Sequence, residues 1–168
     1  FPPIPNFSGQ TTIQMPQDTV KTMLRRTSFA VSTDENRYVL NGLFLIFKEN
    51  KLTMVATDGR RLALAEEDVE LKDDNPLEVI VPTKAIQELS RSLGDKGDVE
   101  IQITENQVSF GLKENDGTGS LIVSKLVEGA YPNYKQVIPA ESKHRVTLDK
   151  EELFHALRRA EIMTSEKA

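Results

Sequence analysis

The sequence of 168 residues contains no cysteine, which excludes disulfide bonds and thiolate chemistry and fits a reducing, cytoplasmic setting. No apolar run approaches the roughly 20 residues that a membrane span requires, and the 38% hydrophobic content suffices for one domain of ordinary size with its own core. The net charge of −5 argues against a tight, groove-reading nucleic-acid binder, although it is compatible with basic residues gathered on one face.

The beginning of the chain predicts a linker, a strand and an amphipathic helix. Residues 1–10 contain three prolines and are interpreted as a linker, and residues 11–15 as a short strand. Pro16 opens the helix, with Gln17 or Asp18 near its cap. Apolar and polar positions then separate at helical spacing. The inner face holds Val20, Met23, Leu24, Thr27 and Val31, and the outer face holds Lys21, Thr22, Arg25 and Arg26.

The next segment is rich in β-forming residues. Residues 37–47 predict a strand with a bulge or a sharp bend at Asn41 and Gly42, because a glycine inside a strand pattern often interrupts it. Glu49 and Asn50 indicate a turn into a second strand.

The segment VATDGRRLA, residues 55–63, joins two strand-like runs. Asp58 and Gly59 are a turn signal, since Gly accepts a positive φ and Asp can hydrogen-bond to its own backbone. Arg60 and Arg61 follow at once. Two interpretations remain open: a hairpin turn with a solvated basic rim, or a recognition site built on a rigid strand.

The second half predicts a strand at 77–81 and then a helix. The helix begins at Pro82 and Thr83 and ends near Leu93 and Gly94. Its inner face holds Ala85, Ile86, Leu89 and Leu93, and its outer face holds Lys84, Gln87, Glu88 and Arg91. The other predicted segments are an acidic loop at 66–76, strands at 98–104, 108–112 and 120–126, a flexible turn at 116–119, and a turn with a linker at 128–134.

The end of the chain repeats its beginning. A strand-then-helix pattern at 146–163 matches that at 13–30, and the Leu-Arg-Arg triplet of residues 24–26 recurs at 157–159. The simplest interpretation is a repeated domain whose second copy is cut short. The expected divisions are a linker or the end of a first domain at 1–10, a whole domain at 11–139 and the truncated start of another at 140–168.

The sequence offers little for catalysis or metal binding. His144 and His155 have no partner at metal-ligand spacing, and we find no nucleophile elbow or phosphate loop. Asp116 begins a partial likeness to an aspartic-protease signature, but Gly117 breaks its spacing. We therefore predict a protein that is not an enzyme, with no catalytic residue, metal or cofactor. A hydrolase that uses Asp58 or Asp116 is a rival hypothesis.

Basic residues lie at the centre of the polar face of both predicted helices. They are Lys21, Arg25, Arg26, Lys84 and Arg91. The acidic residues are concentrated elsewhere, at 66–68 and at Asp73 and Asp74. Such a separation suits a protein that holds one face near phosphates. The alternative is that both polar faces are simply solvated.

Five motifs occur in an order that one bacterial family shares. They are YVLNG at 38–42, VATDGRRLA at 55–63, VIVP at 79–82 with Lys84, SKL at 124–126 and GAYPNY at 129–134. On these motifs the whole chain resembles the DNA polymerase III beta subunit family, the sliding clamps.

This resemblance implies an α+β fold, a DNA-clamp domain with antiparallel sheets outside and two helices on the inner face. It implies that two full-length chains of three domains close into a homodimeric ring around duplex DNA, which they contact without reading sequence. The present chain is then expected to be the central domain with its flanks, monomeric and cytoplasmic, with no membrane contact. The implied DNA-facing residues are Lys21, Arg25, Arg26, Tyr38, Lys84 and Arg91.

The resemblance also implies a groove for peptides of the DNA polymerase III alpha subunit, the clamp loader and other proteins with a clamp-binding motif. The implied groove residues are Leu40, Thr57, Gly59, Arg60, Arg61, Leu62, Pro132 and Val137. Arg60 stands where the family often has His, and Gln136 where an Arg is common. The alternative outside this family is a generic anion- or peptide-binding adaptor domain without a role on DNA.

Overall fold

The computed structural model describes residues 11–72, 75–113, 119–141 and 143–164. The chain divides into two compact units, Phe1–Tyr131 and Pro132–Ala168. Three earlier expectations lie wholly or partly outside the described residues: the linker at 1–10, the acidic pair Asp73 and Asp74, and the turn that contains Asp116.

The described part of the first unit contains two four-stranded antiparallel sheets and two α-helices. The strands are β1 Thr11–Pro16, β2 Gly42–Lys48, β3 Lys51–Thr57, β4 Leu62–Asp68, β5 Leu77–Pro82, β6 Asp98–Ile103, β7 Gln107–Lys113 and β8 Gly119–Lys125. The helices are α1 Gln17–Thr27 and α2 Thr83–Ser92. The sheets have the orders β1-β6-β7-β8 and β4-β3-β2-β5, so the predicted α+β class with antiparallel sheets and two helices is confirmed.

Each of the two helices begins directly after a proline that ends a strand. Pro16 and Pro82 occupy the N-cap positions in an extended conformation, and the helix starts at the next residue. This arrangement places proline where its missing N–H causes no loss of a helical hydrogen bond. Both helices then contact each other and strands of both sheets. Their predicted inner faces are buried together with the facing strand residues in one apolar cluster.

Gln17 fixes the start of α1 against the segment that joins α2 to β6. Its side chain is 3% exposed, donates to the carbonyl of Asp98 at 3.2 Å and accepts from the Gly94 amide at 2.8 Å. The backbone N–H of Gln17 donates to the Gly97 carbonyl at 2.9 Å. A buried amide that is satisfied on both sides holds the helix start at a defined position.

The β2–β3 turn is confirmed. Glu49 and Asn50 have φ angles of 54° and 55°, the left-handed pair that a two-residue hairpin with the native strand twist requires. The turn sets the register in which Lys48 lies opposite Lys51 and Leu45 opposite Met54.

Residues 37–40 do not form the predicted strand. They belong to a 3-10 helix, Glu35–Leu40, whose first turn is capped by the Asp34 carboxylate at 3.0 Å from the Asn36 N–H. The chain bends at Asn41, whose carbonyl accepts from the Thr83 amide and hydroxyl at 3.1 and 2.6 Å. This long-range contact with the start of α2 has no local sequence signal.

The predicted loop at 66–76 is wrong for its first three residues. Strand β4 continues to Asp68, with Glu66 opposite Thr53 and Asp68 opposite Lys51. Lys51 Nζ lies 3.8 Å from a Glu66 carboxylate oxygen, so cross-strand pairing overrides the low strand propensity of Glu and Asp.

Smaller differences occur at element ends. Helix α1 ends at Thr27, and Val31 is buried but extended. Helix α2 ends at Ser92 with extended Leu93, and the left-handed glycine of this turn is Gly97 rather than Gly94.

The second unit contains a 3-10 helix, Tyr134–Val137, and helix α3, Lys150–Glu161. Asp149 caps α3 by accepting from the Glu152 N–H at 2.9 Å. The predicted helix is confirmed, but residues 146–148 form no strand. None of the helices in the described part of the chain combines the length and the apolar character that a membrane crossing demands.

We expect the two copies of the Leu-Arg-Arg triplet to differ in their contribution to stability. Leu24 is fully buried and Leu157 is 59% exposed. Leu24→Ala should lower the free energy of unfolding by about 2–5 kcal/mol, because it removes buried methyl groups and leaves a cavity. Leu157→Ala is the matched control and should change it by about 0.5 kcal/mol or less. Urea unfolding of both variants measures this, and equal losses would contradict the packing described.

Candidate functional site

The loop between β3 and β4 is held by the Asp58 carboxylate. One oxygen accepts from the backbone N–H groups of Arg60 and Arg61 at 2.9 and 3.0 Å, and the other accepts from Arg61 Nε at 3.0 Å. These hydrogen bonds, the Arg60 N–H first, hold the pKa of Asp58 below its ordinary value of 3.8. The ionised carboxylate, which these hydrogen bonds stabilise, organises the loop at neutral pH.

Thr57 and Gly59 complete this local network. The Thr57 hydroxyl donates to the Arg61 carbonyl at 2.8 Å and accepts from the Gly59 N–H at 3.1 Å. Gly59 has a φ of +85°, and a Cβ built there would lie 2.7 Å from Arg37 Nη1. Glycine is therefore required for its conformation, whereas the contact with Arg37 involves the far end of a flexible side chain that can move aside.

Arg61 is part of the loop, and Arg37 contacts the loop from the 3-10 helix Glu35–Leu40. The Arg61 guanidinium lies over the ring of Phe29, with Cζ 5.7 Å from the ring centroid. Arg37 Nη1 donates to the Asp58 carbonyl at 3.5 Å, and Arg37 Nε lies 3.6 Å from the Asp34 carboxylate. The result is an exposed loop whose backbone is fixed and whose arginines are presented to solvent.

The segment that leads to Tyr131 lies against the same unit. Tyr131 stacks on Phe44 of β2, with ring centroids 4.5 Å apart and an interplanar angle of 10°. Burial raises the pKa of the Tyr131 phenol to about 12, although the nearby Thr57 backbone acts in the opposite direction. Gly129, with φ +122°, approaches so closely that an added Cβ would lie 2.8 Å from Val39 Cγ1.

The structure brings most of the predicted groove residues together in one loop. Thr57 and Leu62 are half-buried at its base, and Gly59, Arg60 and Arg61 are exposed. Leu40 is buried in the 3-10 helix that also carries Arg37. Pro132 and Val137 are exposed residues of the second unit.

Two aromatic residues near this loop carry no sequence signal of their own. Phe29 follows α1 and is 58% exposed, and nothing in its spacing indicates that it meets Arg61. Phe44 is recognisable only as a β-former, because its partner Tyr131 lies far away in sequence.

The helix faces agree only in part with the predicted charge separation. Lys21 pairs with Asp95 at 2.7 Å, and Arg91 pairs with Glu88 at 2.8 Å. Arg26 lies 3.9 Å from Glu67. The expectation that the acidic residues at 66–68 lie apart from the basic faces is therefore wrong for Glu67, because β4 continues alongside α1.

Two basic residues of these helices remain without an ion pair among the described residues. They are Arg25 on α1 and Lys84 on α2, and both are exposed. Tyr38, which was also predicted to face DNA, is 60% exposed on the 3-10 helix.

Within the described ranges, no three His, Asp or Glu side chains lie close enough to hold a metal ion.

The fold and the loop define a class: an α+β domain of two antiparallel sheets and two packed helices that presents a fixed, arginine-bearing loop. The chain belongs to the DNA polymerase III beta subunit family, because residues 14–133 match the model of the central domain of that subunit. This family is the one that the five sequence motifs indicate.

Comparison with individual proteins agrees. The beta sliding clamp of Chlamydia pneumoniae is 36% identical over 168 residues, which is all of this chain and 44% of that protein. The beta sliding clamp of Bacillus subtilis is 35% identical, over 99% of this chain and 43% of that protein. The crystal structure of the DNA polymerase sliding clamp from B. subtilis matches all of this chain and 43% of its own, with a TM-score of 0.90 and 34% identity. The chain thus spans less than half the length of these relatives.

Asp58→Asn should destabilise the loop in a pH-dependent way. The folded pKa of Asp58 is lowered, so its stabilising contribution is fully present above its unfolded value near 3.8 and is lost as the pH falls through the lower folded value. We expect a lower thermal midpoint than wild type at pH 7 and a difference that shrinks below pH 3.8. The control is Glu70→Gln, an exposed residue just after β4, which should lower the midpoint less. A difference between Asp58→Asn and wild type that is constant with pH would contradict the role of the carboxylate.

Proposed function

We propose that this chain is the central section of a DNA sliding clamp, a ring that encloses duplex DNA and tethers replication proteins to it. The observation that carries the proposal is the pair of adjacent helices α1 and α2, whose apolar faces are buried and whose basic residues are turned outward. In this family such a pair is suited to lining a ring. The sequence match to the central domain of the DNA polymerase III beta subunit supports this assignment.

The charge pattern supports a sliding contact rather than a tight one. Contacts between Lys or Arg and phosphates are independent of sequence and position the protein without reading bases. Most basic residues of the two helices lie beside an acidic residue, and exposed ion pairs of this kind are weak and easily rearranged. A closed ring does not need affinity to stay on DNA, so the net charge of −5 is compatible with this role.

We propose the DNA-facing residues to be Lys21, Arg25, Arg26, Tyr38, Lys84 and Arg91. Arg25 and Lys84 are the strongest members of this set, because Lys21, Arg26 and Arg91 each form an ion pair and these two form none with the described residues.

The loop at 57–62 is proposed as one wall of a groove for partner peptides. Its fixed backbone and half-buried Leu62 suit a short apolar anchor, and its arginines suit a polar or acidic peptide end. The proposed partners are the DNA polymerase III alpha subunit, the clamp loader and other proteins with a clamp-binding motif. Leu40, Pro132 and Val137 are proposed as further members of the groove.

The remaining parts of the proposal concern organisation. Residues 11–139 are proposed as the central clamp domain, 1–10 as a linker or the end of the first clamp domain, and 140–168 as the truncated start of the third clamp domain. The full-length protein is proposed to be a homodimeric ring in the cytoplasm and not an enzyme, and the present chain by itself to be monomeric.

Topological enclosure is tested with the full-length protein and its loader on nicked circular DNA. The protein should remain on the circle at salt concentrations that abolish ordinary phosphate contacts, and it should be released when the circle is cut. Release that does not depend on cutting would overturn the proposal.

The double variant Arg25→Ala with Lys84→Ala tests the contacts with phosphate. The slope of log affinity for linear duplex against log salt concentration should fall by roughly one to two phosphate contacts. The control Lys48→Ala, on the β2–β3 hairpin, should leave that slope unchanged.

Leu62→Ala in the full-length protein should weaken a peptide from the alpha subunit roughly tenfold, as expected for an apolar anchor contact. Leu121→Ala is the control, since Leu121 is an exposed leucine of β8 in the other sheet. Fluorescence anisotropy with a labelled peptide measures both affinities. Equal affinity of the Leu62→Ala variant and wild type would remove this loop from the groove.

A further inference from the structure

Phe29 is an exposed aromatic residue whose position the core does not explain. It lies in the short 3-10 helix Ser28–Ala30 directly after α1, and 58% of its surface remains exposed. Its two neighbours in sequence differ from it, since Ala30 is fully buried and Ser28 is half-buried. The contact that distinguishes Phe29 is the Arg61 guanidinium over its ring at 5.7 Å.

Arg61 is therefore held from two directions. Its Nε donates to Asp58 Oδ2 at 3.0 Å, and its guanidinium lies on the face of Phe29. Asp58 is itself fixed by the backbone N–H groups of the loop. An exposed arginine usually keeps much of its rotamer freedom, and fixing it before binding reduces the entropy lost on binding.

The terminal nitrogens of Arg61 are left available by this arrangement. Among the described residues, the guanidinium donates a hydrogen bond through Nε and none through Nη1 or Nη2, and the side chain is 60% exposed. A guanidinium that uses Nε internally can still present these two nitrogens to a planar acceptor. Carboxylates are the natural acceptors in peptides for this charge-assisted contact.

Neighbouring charges favour an anion at this place. Arg60 is exposed one residue away, and Arg37 reaches the same loop. Asp58 offsets Arg61, and Asp34 lies beside Arg37. The three arginines therefore outnumber the two aspartates by one, and this positive charge lies near the proposed apolar wall at Leu62.

We propose that Phe29 is a positioning residue that, together with Asp58, fixes Arg61 as a carboxylate-recognising group at the end of the peptide groove. Partner peptides that place a carboxylate next to their apolar anchor are then preferred over equivalent peptides without one. The inference rests on the proposed function of the loop as a peptide groove, and it adds the chemistry by which the groove selects among peptides.

The test compares three peptides with one apolar sequence, taken from the clamp-binding segment of the alpha subunit. The first ends in a free carboxylate, the second in an amide, and the third in an amide with Glu as its last residue. The second peptide isolates apolar binding, and the first and third distinguish a chain-terminal carboxylate from a side-chain carboxylate. Affinities for the full-length protein are measured by calorimetry at low and moderate salt.

Five proteins are compared: wild type, Phe29→Tyr, Phe29→Leu, Arg61→Gln and the double variant Phe29→Leu with Arg61→Gln. Tyr keeps the aromatic face and Leu keeps apolar bulk without it. The preference for a carboxylate peptide over the amide should fall roughly two- to fivefold in Phe29→Leu, the range for an exposed cation–π contact. It should be kept in Phe29→Tyr, and the amide peptide should bind both Phe29 variants as it binds wild type.

The double variant shows whether Phe29 acts through Arg61. Once Arg61 is replaced, the replacement of Phe29 should have no further effect on carboxylate preference, which is the coupling expected of two residues in contact. Thermal midpoints close to wild type show that all variants are folded, as the exposure of Phe29 leads us to expect.

The outcomes separate this inference from the function on which it rests. If wild type binds all three peptides alike, or if Phe29→Leu keeps the full carboxylate preference, the positioning role is refuted and the groove stands. If wild type binds none of the peptides, the groove itself is refuted, and the role of Phe29 falls with it.

Discussion

The burial of one face of α1 and one face of α2 against strands of both sheets is the constraint on which the rest of the structure depends. Met23 and Leu24 on α1, and Ile86 and Leu89 on α2, are almost completely removed from solvent. A helix that buries one stripe must turn the opposite stripe outward. The proline-started junctions and the buried Gln17 fix where along the sheets this happens. The exposed basic residues are therefore a consequence of core packing, and the proposed DNA contact needs no dedicated element.

The conformation of the β3–β4 loop does not depend on core packing, because short-range hydrogen bonds fix its backbone. Thr57, Asp58 and Gly59 form a network within five residues of chain, and the strands on either side hold it at the end of the second sheet. Because the flanking strands and the loop's own hydrogen bonds fix the backbone, the arginines of the loop start from defined positions. This combination is what a site that receives flexible peptides requires, since the partner then carries most of the ordering entropy.

The helix faces show how local charge and overall charge can be separated. The protein is acidic as a whole, yet its acidic residues are not simply segregated from the helices, since Asp95, Glu67 and Glu88 each lie beside a basic residue. Such pairing lowers the local field without removing the basic groups. A protein proposed to move along DNA benefits from a weak positive field, because strong phosphate contacts would hold it in one place. A site-specific binder benefits from a strong field.

The sequence by itself determined the elements whose signals are local: the Glu49–Asn50 turn, the Asp58–Gly59 loop, the faces of both helices and the strands with clear alternation. Each of these depends on residues within a few positions of one another, so propensity and periodicity suffice to identify them. Its motifs also indicated the family. Only the tertiary structure decided that residues 37–40 form a 3-10 helix held through Asn41 to α2, and that β4 continues through three acidic residues. It alone placed Phe29 beneath Arg61 and Glu67 beside Arg26, because these partners lie about 30 to 40 positions apart and meet only when the helices pack on the sheets.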